Sequence, residues 1–299
     1  MSISDLVKEF IFDCKIRELS PRTIHNYEKQ LKQFELFLLG SSVVTLEDLK
    51  PLHVKEFIAM LQGRGCKPSY INDMLKAVKV LCGYAFREGY CAEPATQRVK
   101  NVREPKVLIH TFSNDEIKRL IDYYKGNDYL SIRNKLIIMM LFDTGIRISE
   151  LMTMKDDQIY NDYFIIHGKG NKERVVPKSA SVSKWLMKYQ TVKNNYFACK
   201  DCQDYLFLSK NGKILTEEGI CHFLKKTAAD IGVNPKIRVS PHTFRHTFAH
   251  QQLKNGLNLY SLSRILGHEN VSITQRYLEG IEDSEILVSA KKTGVISNL

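Results

Sequence analysis

The sequence predicts a mainly α-helical protein of two domains, with one small antiparallel sheet in the second domain. The first 90 residues show apolar residues at helical spacing, separated by prolines and glycines. A segment rich in Pro, Arg and Lys follows, and the only strong β pattern lies well beyond it. A chain of 299 residues is also longer than one hydrophobic core usually organises, which favours two domains.

Four helices are predicted in the first domain, which we place at residues 1–92. Each begins or ends at a residue that favours a helix end; Ser20 and Pro21, for example, combine a good N-cap with proline at the first helical position. The predicted helices are 3–18, 21–39, 51–63 and 68–89.

The second domain is predicted at residues 113–299, after a linker at 93–112 that lacks apolar periodicity. Ser113 and Glu116 have capping-box spacing and predict a helix start. Two β-branched runs flank Gly-Lys-Gly-Asn in "YFIIHGKGNKERVVP", which predicts a hairpin over 163–177. The remainder, from Ser179 onward, again shows a helical pattern.

Composition narrows the class of function. The chain has 44 Lys and Arg against 33 Asp and Glu, a net charge of +11 that favours a polyanionic partner. Seven cysteines without disulfide-framework spacing indicate a reducing compartment. The N-terminus lacks a signal-peptide layout, and the apolar run at 136–142 is too short to span a bilayer. We therefore expect a soluble cytoplasmic protein without a membrane partner.

The stretch "HTFRHTFAH" at 242–250 places three histidines four residues apart with Arg245 among them. Helical geometry would bring them near one face. Zinc binding is one interpretation, but the Glu of H-E-x-x-H is missing and an arginine would repel a cation. A phosphate would suit the planar guanidinium. An ordinary helix surface with one core histidine is the third interpretation.

Three further stretches carry candidate residues. "TGIRISEL" puts Arg147 at a helix start, where the helix dipole disfavours a cation unless an anion, such as a bound phosphate, compensates it. "HGKGNKER" puts Lys169 between glycines at the hairpin tip. In "LGHENVSITQRYL", Gly267 predicts a helix end, and Ser272 with Gln275 predicts a new start. Each alone is also compatible with a packed or solvated side chain.

In combination these stretches resemble the catalytic pattern of the tyrosine recombinases, also called the phage integrase family, and most closely its Xer-like members. The stretch "SPRTIHNYEKQLKQFELFL" also resembles the first helix of the family's core-binding domain, so the resemblance covers nearly the whole chain. It implies a helical SAM-like core-binding domain followed by a mixed α/β catalytic domain with a small antiparallel sheet. The six matching catalytic positions are Arg147, Lys169, His242, Arg245, His268 and Tyr277.

The resemblance implies that Tyr277 attacks a DNA phosphodiester, forms a 3′-phosphotyrosine and releases a 5′-hydroxyl. A phenol with an ordinary pKa of about 10 is only about one part in a thousand ionised at pH 7, so a base helps. The family pattern gives that role to His242. Arg147 and Arg245 would clamp the phosphate oxygens, His268 would donate a further hydrogen bond, and Lys169 would protonate the leaving oxygen. No metal or other cofactor is required.

The expected partners are double-stranded DNA recombination sites and other copies of the chain. The resemblance implies a tetramer that forms a Holliday junction, held through the C-terminal tail at about 280–299. Integration, excision, inversion and dimer resolution all remain open, as do two alternatives: a type IB topoisomerase and a non-catalytic DNA-binding relative. Further candidates for DNA contact are Lys172, Arg174, Arg238 and His246 in the second domain and Arg22, Tyr70 and Lys76 in the first.

Overall fold

The structure is a computed structural model of the chain that describes residues 1–105, 109–168, 172–275 and 277. The chain divides into two compact units, Met1–Lys106 and Val107–Leu299. Within the described residues the architecture is mainly helical, with one two-stranded sheet in the second unit, as the sequence predicts.

Four helices form the first unit, and their ends agree with the predicted ones to within two residues. Ser2 and Ser20 cap the first two, each side chain accepting a hydrogen bond from a backbone N–H three residues on. Proline occupies the first turn of the second, third and fourth helices, as the sequence predicts. The helices are α1 Ile3–Ile16, α2 Pro21–Gly40, α3 Pro51–Gly63 and α4 Pro68–Arg87.

The core of the first unit is built on aromatic contacts between its helices. Phe34 of α2 meets Phe57 of α3 edge to face at 5.1 Å between ring centroids, and Phe10 of α1 meets Tyr84 of α4 at 5.5 Å. The predicted linker is partly packed on this core. Val99 is buried, and the Asn72 amide bonds both backbone groups of Val102. The division between the units therefore falls later than residue 92.

The second unit contains eight helices, a hairpin and a 3₁₀ turn at Asp156–Gln158 among the residues that the structure describes. The predicted capping box at its start is confirmed: Ser113 Oγ accepts from Glu116 N–H, and Glu116 accepts from Ser113 N–H. The elements are α5 Asn114–Asp122, α6 Tyr129–Thr144, α7 Ile148–Thr153, β1 Tyr163–His167, β2 Glu173–Pro177, α8 Ala180–Phe197, α9 Glu217–Asp230, α10 Pro241–Lys254, α11 Leu259–Leu266 and α12 Val271–Gln275.

The predicted hairpin is confirmed with a register that runs from Tyr163 opposite Pro177 to His167 opposite Glu173. Phe164, Ile166 and Val176 are buried on its inner face. Gly168 N–H donates to Lys172 O at 2.7 Å beyond the last strand pair. Lys169, predicted at the tip, lies outside the described residues.

Helix α6 runs through the centre of the second unit and packs against α8 and α10. The apolar run noted at 136–142 lies on this helix and supplies buried core residues. In the described part of the chain, none of the helices combines the length and the apolar character needed to cross a membrane.

Substitution of a buried leucine in the first unit should lower the free energy of unfolding more than substitution of an exposed one. We expect Leu75→Ala to lower the free energy of unfolding by about 2–5 kcal/mol, because Leu75 is 0% exposed and the change leaves a cavity. Leu52→Ala is the control, since Leu52 is 59% exposed and should cost less than about 1 kcal/mol. Urea unfolding of the full chain, followed by circular dichroism, measures both. Equal losses would contradict the described core.

Candidate active site

Helix α10 supplies the centre of the candidate site. Ser240 caps it by accepting from Thr243 N–H, and Pro241 occupies its first turn. The histidines that follow differ in environment: His242 is exposed, His246 is half-buried and His250 is buried. The helix thus does not offer three equivalent imidazoles on one surface. Its buried cation is Arg245.

Arg245 joins α10 to two neighbouring turns through its guanidinium. Nη1 donates to Gly145 O at 2.7 Å, and Nη2 donates to Leu266 O at 2.6 Å. Gly145 has φ of +58°, and a Cβ there would lie 2.3 Å from a ring atom of Phe248, so this turn requires glycine. Burial, followed by the nearby charge of Arg147, lowers the pKa of Arg245 to about 10. The side chain therefore stays cationic at neutral pH.

Arg147 is the N-cap residue of α7, as the sequence predicts, and it is 38% exposed as a side chain. Its Nη1 donates to Glu150 Oε1 at 2.9 Å and its backbone N–H donates to Glu150 Oε2 at 2.8 Å. Its Nη2 donates to Gly267 O at 3.1 Å. Glu150 therefore supplies negative charge at this helix start, where a bound phosphate had been expected. Sequence reasoning missed Glu150, although its three-residue spacing from Arg147 matches a capping box.

Arg174 lies inside the protein, contrary to the position expected for a DNA contact. Its Nη1 and Nη2 donate to the two oxygens of Glu150 at 2.8 and 2.7 Å, and its Nε donates to Ile265 O at 2.7 Å. Arg174 is 10% exposed and Glu150 is 6% exposed. The bidentate pairing of guanidinium with carboxylate explains why this side chain of β2 points into the protein. There it holds Glu150, which in turn bonds Arg147.

The turn after α11 brings His268 toward Arg245. Gly267 ends the helix with φ of +68°, as the sequence predicts, and a Cβ there would lie 2.8 Å from Arg174 Cδ. His268 Nε2 is 3.0 Å from Arg245 Nη2, and its Nδ1 is 2.8 Å from Thr274 Oγ1. Both ring nitrogens of His268 are therefore engaged by protein groups.

Tyr277 lies just beyond α12 and is 8% exposed. Its backbone N–H donates to Thr274 O at 3.0 Å, and its phenol lies close enough to Arg245 for the two groups to interact electrostatically. Its ring stacks on His268 at 6.2 Å and meets the edge of His246 at 4.7 Å between centroids. The tyrosine hydroxyl and the Arg245 guanidinium thus share one small site.

The predicted helix cap at Ser272 is wrong by two residues. Helix α12 begins at Val271, and Asn270 supplies the cap because its side-chain oxygen accepts from Ser272 N–H at 2.9 Å. Asparagine competes well for this position, since its short amide reaches the backbone two residues on. Tyr277 lies in a turn two residues beyond Gln275, the last residue given for α12.

The structure brings together four of the six predicted catalytic residues, Arg147, Arg245, His268 and Tyr277. His242 is exposed at the start of the same helix as Arg245. Lys169 cannot be placed, since it lies outside the described residues, and the C-terminal tail predicted at 280–299 does too. His246, predicted as a DNA contact, instead meets the ring of Tyr277.

The other predicted DNA contacts are surface residues, and their role stays a prediction. Lys172 pairs with Glu269 at 2.6 Å, both side chains being largely exposed, and Tyr70 donates to Gln33 Oε1 at 3.0 Å. Exposed side chains also occur at Arg22, Lys76 and Arg238. Within the described ranges no cluster of three or more His, Cys, Asp or Glu residues could hold a metal ion.

Loss of the Glu150 charge should destabilise the second unit in a pH-dependent way. Burial by itself raises the pKa of the Glu150 carboxyl, but hydrogen bonds and charge from Arg174 and then Arg147 outweigh it and hold that pKa below the ordinary 4.5. The charged form therefore stabilises the fold above pH 4.5, and this contribution is lost as the pH falls through the lower pKa of the folded state. We expect Glu150→Gln to cost about 3–5 kcal/mol at pH 7, because two arginines lose their carboxylate.

Urea unfolding of Glu150→Gln and wild type between pH 7 and pH 3 measures this difference, which should narrow below pH 4.5. Glu269→Gln is the matched control, because its exposed pair with Lys172 should contribute less than about 1 kcal/mol. A difference between Glu150→Gln and wild type that is independent of pH would contradict this electrostatic account.

The chain matches two known protein families. Residues 110–282, more than half of the chain, match the phage integrase family, and residues 8–89 match the SAM-like N-terminal domain of phage integrases. Tyrosine recombinase XerD of Staphylococcus haemolyticus is 28% identical over 278 residues, which cover 91% of this chain and 92% of the relative.

Two solved structures share the fold. The XerH site-specific recombinase bound to palindromic difH substrate, in a post-cleavage complex, superposes with a TM-score of 0.75 at 18% identity and covers 92% of this chain and 80% of that one. The Tn1549 transposon integrase in complex with transposon right end DNA has a TM-score of 0.75 at 19% identity, over 98% and 99% of the two chains. The chain therefore belongs to the phage integrase family and is a Xer-like tyrosine recombinase.

Proposed function

We propose that this recombinase cleaves and rejoins DNA strands at specific sites through a 3′-phosphotyrosine formed by Tyr277. The observation that carries the proposal is the position of the Tyr277 side chain, which stacks on His268 close to the guanidiniums of Arg245 and Arg147. Arg147 and Arg245 donate to the adjacent carbonyls of Gly267 and Leu266, so their positive charges lie close together.

The charge balance of this cluster supports a bound anion. Two guanidinium groups, those of Arg147 and Arg174, bond the Glu150 carboxylate, and a third cation, Arg245, lies nearby without a hydrogen bond to it. The repulsion between Arg147 and Arg245 contributes to the lowered pKa of Arg245. A phosphodiester placed between them would offset that repulsion and accept hydrogen bonds from both.

The chemistry follows from that placement. The Tyr277 hydroxyl oxygen attacks phosphorus, the bond from phosphorus to the 5′-oxygen breaks, and the 3′-phosphate becomes attached to the tyrosine. In our proposal His242 accepts the phenolic proton and Lys169 donates a proton to the departing 5′-oxygen. Arg147, Arg245 and His268 stabilise the charge on the non-bridging oxygens.

Rejoining needs no external energy source in this scheme, because the phosphotyrosine linkage retains the energy of the broken phosphodiester. Attack by a 5′-hydroxyl from the same or another DNA strand reverses the first step and releases Tyr277. Strand exchange between two sites would then pass through a Holliday junction. We propose a tetramer on DNA, held through the tail at about 280–299, for this exchange.

The DNA partner is supported by charge and by the relatives. The net charge is +11, and the XerH structure holds its palindromic difH substrate. We propose that Lys172 and Arg238 in the second unit, and Arg22, Tyr70 and Lys76 in the first, contact the DNA backbone or grooves. Arg174 is excluded from this set by its buried pairing with Glu150. All seven cysteines are free thiols, which supports a reducing, cytoplasmic location.

Covalent trapping tests this function directly. Nicked suicide duplexes made from fragments of the source genome would be incubated with the full chain, and adducts separated under denaturing conditions. We expect wild type to form an adduct at a 3′-phosphate and leave a 5′-hydroxyl that polynucleotide kinase can label. Tyr277→Phe should abolish the adduct, because the nucleophilic hydroxyl is gone. Tyr260→Phe, at an exposed position of α11, is the matched control and should retain it.

Three outcomes would overturn the proposal. An adduct that persists in Tyr277→Phe would assign the nucleophile elsewhere. DNA binding by wild type without any adduct would indicate a non-catalytic DNA-binding protein. Relaxation of supercoiled plasmids of any sequence, without junctions between two sites, would indicate a topoisomerase-like activity.

A further inference from the structure

Arg174 joins β2 to two elements that lie beside candidate catalytic residues. It is the second residue of the strand, opposite Ile166 across the hairpin. Its guanidinium donates to both oxygens of Glu150 on α7, at 2.8 and 2.7 Å. Its Nε donates to Ile265 O near the end of α11, at 2.7 Å. The reaction proposed above gives this side chain no role, although it contacts the residues around the site.

Arg174 also packs closely against the turn after α11. A Cβ at Gly267 would lie 2.8 Å from Arg174 Cδ and 3.1 Å from its Nε. The carbonyl of the same glycine accepts from Arg147 Nη2 at 3.1 Å, and Glu150 Oε1 accepts from Arg147 Nη1 at 2.9 Å. Arg174 therefore contacts two groups to which the Arg147 guanidinium donates.

The two arginines differ in how well they match the buried carboxylate. The side chain of Glu150 is 6% exposed and that of Arg174 is 10% exposed, whereas that of Arg147 is 38% exposed. A carboxylate buried to this degree requires a positive partner. Arg174 is the better matched partner, because it is buried with the carboxylate and pairs with both of its oxygens. The charge of the more exposed Arg147 is then left largely uncancelled.

Loss of Arg174 would change this division of charge. Arg147 would become the bonded counter-ion of Glu150, and the two together would present no net charge to an anion. Arg245 would be the remaining cation of this group, and the Glu150 carboxylate would repel a phosphate beside it. The Arg174 side chain thus bears on anion binding without being exposed to the anion.

We propose that Arg174 is a positioning residue that neutralises Glu150 inside the protein and so leaves the charge of Arg147 available to the scissile phosphate. This inference rests on the proposed function, which places a phosphate at Arg147 and Arg245. A side chain that only braced the fold would change the stability of the protein, but it would leave the anion affinity of the folded state unchanged.

The first test measures anion binding without DNA and so is independent of catalysis. Dimethyl phosphate carries one negative charge, as a DNA phosphodiester does, and its binding to the full chain would be followed by NMR titration. We expect Arg174→Met to weaken binding about tenfold, because an uncompensated carboxylate beside the site repels the anion. Arg174→Lys keeps the charge and should stay within about threefold of wild type. Circular dichroism confirms that each variant is folded.

A second substitution separates charge from packing. Glu150→Gln in the Arg174→Met background removes the carboxylate, and the amide oxygen can still accept from the backbone N–H of Arg147. Since the buried pair is then replaced by two neutral groups, the double variant should bind dimethyl phosphate within about threefold of wild type. This comparison holds even where Arg174→Met alone does not fold. Binding by the double variant that is tenfold weaker than wild type, or weaker still, would overturn the proposal.

The pH dependence of binding is a readout that packing alone would not move. Burial raises the pKa of the Glu150 carboxyl, and the hydrogen bonds and charge of Arg174, followed by those of Arg147, hold it below 4.5 in wild type. In Arg174→Met this pKa rises. The carboxyl is charged and repulsive above it and neutral below it, so the loss of affinity relative to wild type should shrink as the pH falls from about 8 to about 5.

Other charged groups near Glu150 are common to both proteins, so the ratio of their dissociation constants is the quantity compared. These groups come from the start of α7, from α10 and from the turn after α11: Arg147, Arg245 and His268. A ratio that stays constant across this pH range would refute the electrostatic role of Arg174. The double variant lacks the carboxyl, and its ratio to wild type should not change with pH.

Cleavage kinetics provide the functional test, through the rate of covalent adduct formation on the suicide duplex. Arg174→Met should slow the reaction about tenfold, and Arg174→Lys should restore most of the rate. Arg119→Met is the matched control and should be unchanged. Arg119 likewise pairs with an acid, Asp115, and donates to a carbonyl, that of Ile231, but it links α5 to the end of α9, which carry none of the candidate residues.

The outcomes separate this inference from the proposed function. If dimethyl phosphate binding depends on Arg174 as described but wild type forms no adduct with DNA, the proposed function fails and the role of Arg174 stands. If wild type forms the adduct, while Arg174→Met lowers only the melting temperature and binds dimethyl phosphate as wild type does, Arg174 is merely structural and the inference is wrong.

Discussion

A single buried carboxylate, that of Glu150, holds the cationic side of the site together. The Glu150 carboxylate accepts hydrogen bonds from the backbone and side chain of Arg147, and it pairs with the Arg174 guanidinium in a bidentate manner. An isolated carboxylate in this environment would be costly, and either guanidinium without it would lose its orientation. The three side chains come from α7 and β2, so one ionic contact sets the distance between these elements.

Backbone carbonyl groups also help to orient the three arginine side chains. Arg245 binds the carbonyls of Gly145 and Leu266, Arg147 binds that of Gly267, and Arg174 binds that of Ile265. These acceptors are neutral, so they orient the guanidiniums without cancelling their charge. The site therefore carries net positive charge on guanidiniums that are already oriented, which is the electrostatic preorganisation that the proposed phosphoryl transfer requires.

Tyr277 is also packed among basic groups. Its ring contacts the imidazoles of His246 and His268, and its phenol lies near the guanidinium of Arg245. A phosphate that binds Arg245 would therefore lie beside Tyr277, the proposed nucleophile. The hydrogen bond between His268 and Thr274 extends this arrangement to α12, the helix that precedes Tyr277.

Much of this protein could be read from local sequence. Helix ends were predictable because their signals are local: proline at the first turn, the Ser113–Glu116 capping box, and glycine after α11 each act within one turn of chain. The hairpin was predictable because β-branched runs flank glycines. The candidate catalytic residues could be named only through resemblance to a family, since each motif alone was also compatible with ordinary packing or solvation.

Tertiary structure alone decided which charges meet. Nothing local distinguishes Arg174 from the exposed Lys172 two residues earlier, and only the position of Glu150 on a different element turns one of them inward. The burial of the Thr274 side chain could likewise not be predicted from spacing, whereas the spacing of Arg147 and Glu150 did contain a capping pattern. The physical reason is range: caps and turns depend on backbone groups a few residues away, whereas ion pairs and proton positions depend on groups that the fold brings together from distant parts of the chain.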